Sequence, residues 1–308
     1  MTNSKKSKAR AQKPLPIVSS IAPNSKGLGF FSQSLSMTSY ISVVGVHTTL
    51  WSFVALYFPR AQFLGGLTGS EWDKTQISSR DRPQHPFLEA LTVNPTSTLL
   101  YICIGAVVLQ SWWAGWIRDW WLRLGVRGTE DERRTEIAFL DRQKLSISLF
   151  AWAATLAASV MVHCILVLFG APITSLCLKT YLLALLISIM TVYSPAYALG
   201  VPTLGNDSAS IVKRWTWVRL FAEFSTRNPV ERALVYPAIG TAVGCWIGII
   251  PIALDWDRPW QAWPLTPCFG AIGGYMISSM LALTVSTVIH LAEEHSQSQE
   301  NAAEKKNN

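Results

Sequence analysis

Asp255 and Asp257 stand two residues apart in the run Asp-Trp-Asp-Arg-Pro-Trp-Gln-Ala-Trp-Pro, which fills positions 255–264. Two carboxylates so close together can hold a divalent cation or share acid–base work. A metal needs further ligands, and Arg258 lies between the pair and any that follow. The histidines, His47, His85, His163, His290 and His295, are scattered and form no HExxH pattern. The sequence also lacks a CxxC pair, a Gly-rich phosphate loop, a nucleophile elbow and any triad spacing. It therefore nominates no catalytic residue, no metal ligand and no cofactor. Catalysis with Asp255 or Asp257 as a base stays open as a rival reading.

The run offers docking chemistry instead. Trp256, Trp260 and Trp263 are amphipathic rings suited to a headgroup layer or to a protein interface. Arg258 can pair with an aspartate or with a lipid phosphate. Pro259 and Pro264 restrict the backbone, so the segment should be a fixed turn. Two readings stand side by side: a rigid interfacial turn that orients two helices, or a docking surface for a partner or a phospholipid head.

The elements that must position this run are membrane helices. Half of the 308 residues are hydrophobic and only 15% are charged, against about 25% in a soluble domain. The apolar residues fall into six blocks, approximately Met37–Phe58, Thr96–Trp116, Leu145–Gly170, Thr174–Leu199, Ala233–Leu254 and Cys268–Leu291. Each is close to the roughly 20 residues that cross a hydrocarbon core. No alternating ten-residue pattern suggests a barrel. The expected fold class is all-α, a polytopic membrane protein with six transmembrane helices.

Three regions follow: a basic, Ser-rich tail over 1–36, expected to be disordered; a six-helix domain over 37–291; and a polar tail over 292–308. The first block is of spanning length, so it reads as an uncleaved signal anchor. With the N-terminus in the cytosol, the cytosolic segments hold 20 Lys and Arg and the opposite side holds five. That bias places both termini in the cytosol. The net charge of +7 is then a topology signal and not a sign of nucleic-acid binding.

His163 and Lys179 fall inside spans three and four. Ionisable groups in a membrane are functional candidates, and a small lipid or solute transporter using this pair is the alternative function. Lys179 is also near enough to its span end to snorkel. Tryptophans at 112–121 and 215–217 read as interfacial belts. Gly240, Gly244 and Gly248 recur every fourth residue, as do Gly270, Gly274 and Ser278. Such faces allow two helices to touch closely, so spans five and six are expected to pack together. The five cysteines read as small buried hydrophobes, with a Cys177–Cys268 bridge as one open possibility. Lys305 and Lys306 stand fourth and third from the end, in the pattern of an endoplasmic-reticulum (ER) retrieval signal. The sequon at Asn206 lies in a loop expected to be cytosolic, and so is expected to stay unglycosylated.

The run from Ile250 to Pro264 resembles the signature of the PIG-F family of glycosylphosphatidylinositol (GPI) anchor biosynthesis. The six-span layout is similar as well, and the basic tail and dilysine end look fungal. The resemblance is sharpest over about 200–291. It implies a non-catalytic ER membrane subunit. Such proteins bind and stabilise the enzymes that transfer ethanolamine phosphate from phosphatidylethanolamine to mannose of the GPI precursor. The implied partners are those transferases, membrane phospholipid and the GPI precursor. The residues carried over are Asp255, Trp256, Asp257, Arg258, Pro259, Trp260, Gln261, Trp263 and Pro264, for docking only.

Overall fold

A computed structural model describes residues 28–61, 85–125, 135, 142–254, 256 and 258–307. Among these, every regular element is helical. Six helices are long and apolar enough to cross a membrane: Met37–Leu56, Pro95–Gly125, Lys144–Leu168, Cys177–Leu199, Pro229–Ala253 and Leu265–Ala303. They are called spans one to six below.

The starts of the spans are written locally. Pro95 and Pro229 sit at first helical positions, where a missing N–H costs nothing. The Asn94 side chain accepts from Ser97 N at 3.2 Å and caps span two. The Glu231 carboxylate reaches back over the start of span five, accepting from Arg227 N at 2.6 Å and Asn228 N at 3.4 Å. Gly170 closes span three at φ 98°, a left-handed conformation that a glycine adopts without strain.

Several boundaries differ from the sequence expectation. The first helix begins at Leu28, inside the tail expected to be disordered; residues 1–27 lie outside the described set. Span four starts at Cys177 and carries a π-helical turn at Ile189–Tyr193 before resuming at Ser194. Pro195 explains the irregularity, because it has no N–H for a carbonyl one turn back. Span six does not stop near Leu291 but runs as one helix from Leu265 to Asn307. The polar tail is thus a helical extension, although the side chains of Lys305 and Lys306 lie outside the described residues.

Spans five and six make the most intimate contact in the molecule. A methyl built on Gly244 would sit 2.9 Å from Gly274 Cα and closer still to the Gly270 carbonyl oxygen. One on Gly270 would sit 3.0 Å from Gly248 Cα and collide with the Gly244 carbonyl. One on Gly240 would meet Ser278 Cβ at 2.5 Å. The two glycine faces therefore interlock backbone to backbone. Gly273, one residue off the seam, has nothing within 4 Å of its own Cβ position.

Around this pair the other spans build three apolar clusters, two of them large. One gathers Trp51, Leu99, Ile102, Leu183, Leu186, Cys268 and Tyr275. The other, nearer the opposite ends of the spans, gathers Tyr40, Trp113, Ile117, Trp120, Val230 and Leu234. Trp113 and Trp120 are buried there, which corrects the interfacial reading for these two rings. Both pack on aromatic neighbours; Tyr40 lies 4.9 Å from Trp120, centre to centre and tilted. All five cysteines are free thiols, Cys268 wholly buried and Cys177 exposed, so the possible bridge between them is not made.

The seam generates a paired prediction. Gly244→Leu should destabilise the chain by at least the roughly 1–3 kcal/mol typical of overpacking, because backbone atoms cannot yield. Gly273→Leu should leave stability unchanged. Thermal unfolding of both variants in mild detergent, followed by size-exclusion chromatography, compares them directly.

Candidate functional site

The signature turn is held from within by one side chain. Gln261 Nε2 donates to Pro251 O at 2.6 Å and to Leu254 O at 2.7 Å. Its Oε1 accepts from Arg258 N at 2.8 Å. A single amide thus ties the end of span five to the start of the next turn. The local sequence prepares this. Pro251 and Pro259 each open a short 3-10 turn, Ile250–Ala253 and Pro259–Gln261. Arg258, placed before a proline, is extended. Backbone bonds Gln261 N to Arg258 O and Ala262 N to Pro259 O close the second turn at 2.9 and 3.1 Å.

Trp263 anchors the turn to the rest of the bundle. Its indole N–H donates to Thr180 Oγ1 at 3.0 Å, in the first turn of span four. The ring and Ala262 pack on the larger apolar cluster. Pro264 is buried beside them.

The other two tryptophans face outward. Trp256 is 56% exposed and Trp260 half-buried, with their rings edge to face at 5.7 Å. Arg258 is half-buried beside them. Asp255 and Asp257 lie outside the described residues, so the carboxylate pair has no geometry here.

A second wall rises from the segment after span one. The short helix Pro86–Thr92 touches the Pro259–Gln261 turn. His85 caps it, its Nδ1 accepting from Phe87 N at 3.2 Å. Arg60 donates to the Phe87 carbonyl at 3.3 Å and lays its guanidinium 4.2 Å over the Phe87 ring. Thr98 Oγ1 donates to Leu91 O at 2.9 Å, fixing the helix to span two. Together these parts form one shaped surface with tryptophan, leucine and arginine outward. It offers contact area and a cation.

The pair expected for transport does not come together. His163 and Lys179 are both half-buried on adjoining spans. His163 meets the Tyr181 ring edge-on at 6.0 Å. Among the described residues no hydrogen bond or ion pair joins His163 to Lys179.

The structure also exposes polar residues that sequence reasoning passed over. His47 is wholly buried, stacked on Trp113 at 4.4 Å and 5°. Trp51 Nε1 donates to its Nε2 at 3.2 Å, which leaves the ring proton on Nδ1. Nearby spans add Ser194 Oγ donating to Gln110 Oε1 at 2.7 Å. At the far ends of the spans, Arg118 donates to Tyr197 O at 2.9 Å, and Arg232 Nε to Ser286 Oγ at 2.9 Å. The sequence counts both arginines as loop charges, yet both are buried at helix crossings. The only hint was their position, within a turn or so of a span.

Next to them, the connecting helix Ser208–Phe221 is tied to span five by Arg219, which makes a two-pronged contact with buried Glu231 at 2.6 and 3.1 Å. The hydrogen bond to that carboxylate lifts the Arg219 guanidinium further above its ordinary value. Asp207 caps the same helix, and its bonds from the Ser210 hydroxyl and N–H hold its carboxyl below the usual range.

Comparison with known proteins identifies the architecture. The model of the GPI biosynthesis protein family Pig-F matches residues 84–283. The human "GPI ethanolamine phosphate transferase, stabilizing subunit" is 36% identical over 120 residues, covering 39% of this chain and 50% of that protein. The Yarrowia lipolytica "Glycosylphosphatidylinositol anchor biosynthesis protein 11" is 36% identical over 137 residues, 44% of this chain and 54% of that one. A Schizosaccharomyces pombe "PIGF/3-ketodihydrosphingosine reductase fusion protein" is also 36% identical, over 129 residues. The chain matches about half the length of the first two of these relatives. No solved structure gives a significant match. The matched region takes in the short helix at 86–92, spans two to five, the whole signature turn and the first half of span six; this chain belongs to the Pig-F family of GPI biosynthesis proteins.

Proposed function

We propose that this chain is a non-catalytic membrane subunit that binds and stabilises GPI ethanolamine phosphate transferases in the ER membrane. Those enzymes pass ethanolamine phosphate from phosphatidylethanolamine to mannose of the GPI precursor. Its human and mouse relatives carry the name of a stabilising subunit and the Yarrowia one that of an anchor biosynthesis protein, and none of those names describes a transporter.

The observation that carries the reading is how the signature is used. Gln261 and Trp263 are spent inward, on shape and anchorage. Trp256, Trp260 and Arg258 remain on the surface, in the combination that dominates protein interfaces. Asp255 and Asp257 belong to the same stretch and join the docking assignment. Both termini face the cytosol in this proposal, which sets the turn in the lumen, on the side of the enzymes' catalytic domains. Lys305 and Lys306 then serve as the retrieval signal.

The test is co-purification from native membranes of a tagged chain. Trp260→Ala and Arg258→Ala should each reduce transferase recovery about tenfold or more, as truncation of an interface anchor does, with this chain's own abundance unchanged. Equal recovery from wild type and both variants defeats the proposal.

Gln261→Leu should behave differently. It removes three hydrogen bonds from the turn, each worth about 1 kcal/mol net, so both the melting temperature and transferase recovery should fall. An acceptor sequon placed between residues 62 and 84 should be glycosylated while the natural one at Asn206 stays bare. The reverse pattern inverts the topology and removes the turn from the lumen.

A further inference from the structure

The connecting helix Ser208–Phe221 lies outside all six spans, yet it is apolar on both sides. Its inner side is accounted for. Leu220 is fully buried, and Trp217 packs inward with its indole N–H on the Gly200 carbonyl at 3.0 Å. Its outer side is not. Ile211, Trp215 and Val218 recur at intervals of four and three, with Val212 beside them, and all are exposed. Trp215 is 66% exposed. Beyond the two ends of the helix, Leu204 and Phe224 are exposed as well, Leu204 at 92%. A helix at a water surface would turn polar residues outward here. A contiguous apolar face of this kind marks a contact site.

The chain fixes the level at which that face sits. Trp217 is bonded to Gly200, the first residue past span four. Arg219 is paired with Glu231, in the first turn of span five. The helix is thereby held where span four ends and span five begins. Arg214 lies on its flank, donating to the Gly205 carbonyl at 3.1 Å, and Arg227 follows, so cations border the apolar face. Tryptophan and valine with basic neighbours fit the boundary between acyl chains and phosphate headgroups.

We propose that Ser208–Phe221 is an interfacial helix whose outer face, Ile211, Val212, Trp215 and Val218, beds into the phospholipid leaflet at which spans four and five emerge. The occupant of the face is lipid, with the headgroup phosphates meeting Arg214. The assignment is independent of any transferase partner.

The test places an environment-sensitive fluorophore at Trp215→Cys in the full chain, reconstituted in nanodiscs of phosphatidylcholine and phosphatidylserine. The exposed native thiols are first removed by Cys164→Ser and Cys177→Ser. Asn206→Cys supplies a loop reference, and Val218→Cys a second position on the face. Trp215 and Val218 are exposed, so neither substitution opens the core. A lipid nitroxide placed near the headgroups should quench the probes at 215 and 218 by about half, as expected for a face sunk a few ångströms into the boundary. Dithionite should bleach those probes much more slowly than the one at 206. Bleaching as fast as at 206, with no nitroxide quenching, would show a face in water and overturn the proposal. Protection from dithionite without nitroxide quenching would show the face covered by protein, and would overturn it too.

Discussion

The backbone contact between spans five and six is the constraint on which the rest of the structure depends. Inside a bilayer the hydrophobic effect gives two helices no reason to associate, because lipid tails are as apolar as leucine. Close approach and the dispersion it allows must do so instead. Gly240, Gly244, Gly248, Gly270 and Gly274 remove the side chains that would hold the axes apart. The turn joining the two helices therefore has little distance to cover. Its residues can be used to fold the backbone back on itself through Gln261.

A second constraint comes from polar groups placed within the spans. A bare polar atom in a hydrocarbon layer is expensive, so a polar group within a span gains from a partner on another helix. Ser194 with Gln110, Arg118 with the Tyr197 carbonyl and Arg232 with Ser286 each join two spans at one height. Glass-smooth apolar helices could slide along one another; these bonds forbid it. Trp263 on Thr180 performs the same service at the signature end, linking the turn to span four. The Arg219–Glu231 pair does so at the opposite end.

Much of this was legible in the sequence, for identifiable reasons. Six long apolar blocks announce six spans, because the bilayer sets one length for all of them. The glycines at fourfold spacing announce a close helix face, since only contact explains the repeated loss of a side chain. The run around Trp256 and Trp260 announces a restricted turn through its prolines. What stayed hidden depends on partners that only the folded backbone brings together. Gln261 looks like any surface amide until Pro251 and Leu254 are brought to it. Arg118 and Arg232 look like topology charges until Tyr197 and Ser286 appear. Trp113 and Trp120 look interfacial until His47 stacks on the first and Tyr40 packs against the second. The π-helical turn before Pro195 needed the actual backbone, as did the continuation of the last helix to Asn307.

In this account the chain acts through form: a glycine seam sets two helix ends, and a self-bonded turn between them presents tryptophan and arginine to a partner. The measurement that tests this most directly is amide hydrogen exchange across residues 250–265 of the full chain in lipid nanodiscs. The amides of Gln261, Ala262 and Leu265, each bonded to a carbonyl three residues back, should exchange far more slowly than those of an unstructured peptide, and slow exchange should persist without any partner. Exchange at the unprotected rate would mean that the turn has no fixed shape of its own, and would contradict the account at its centre.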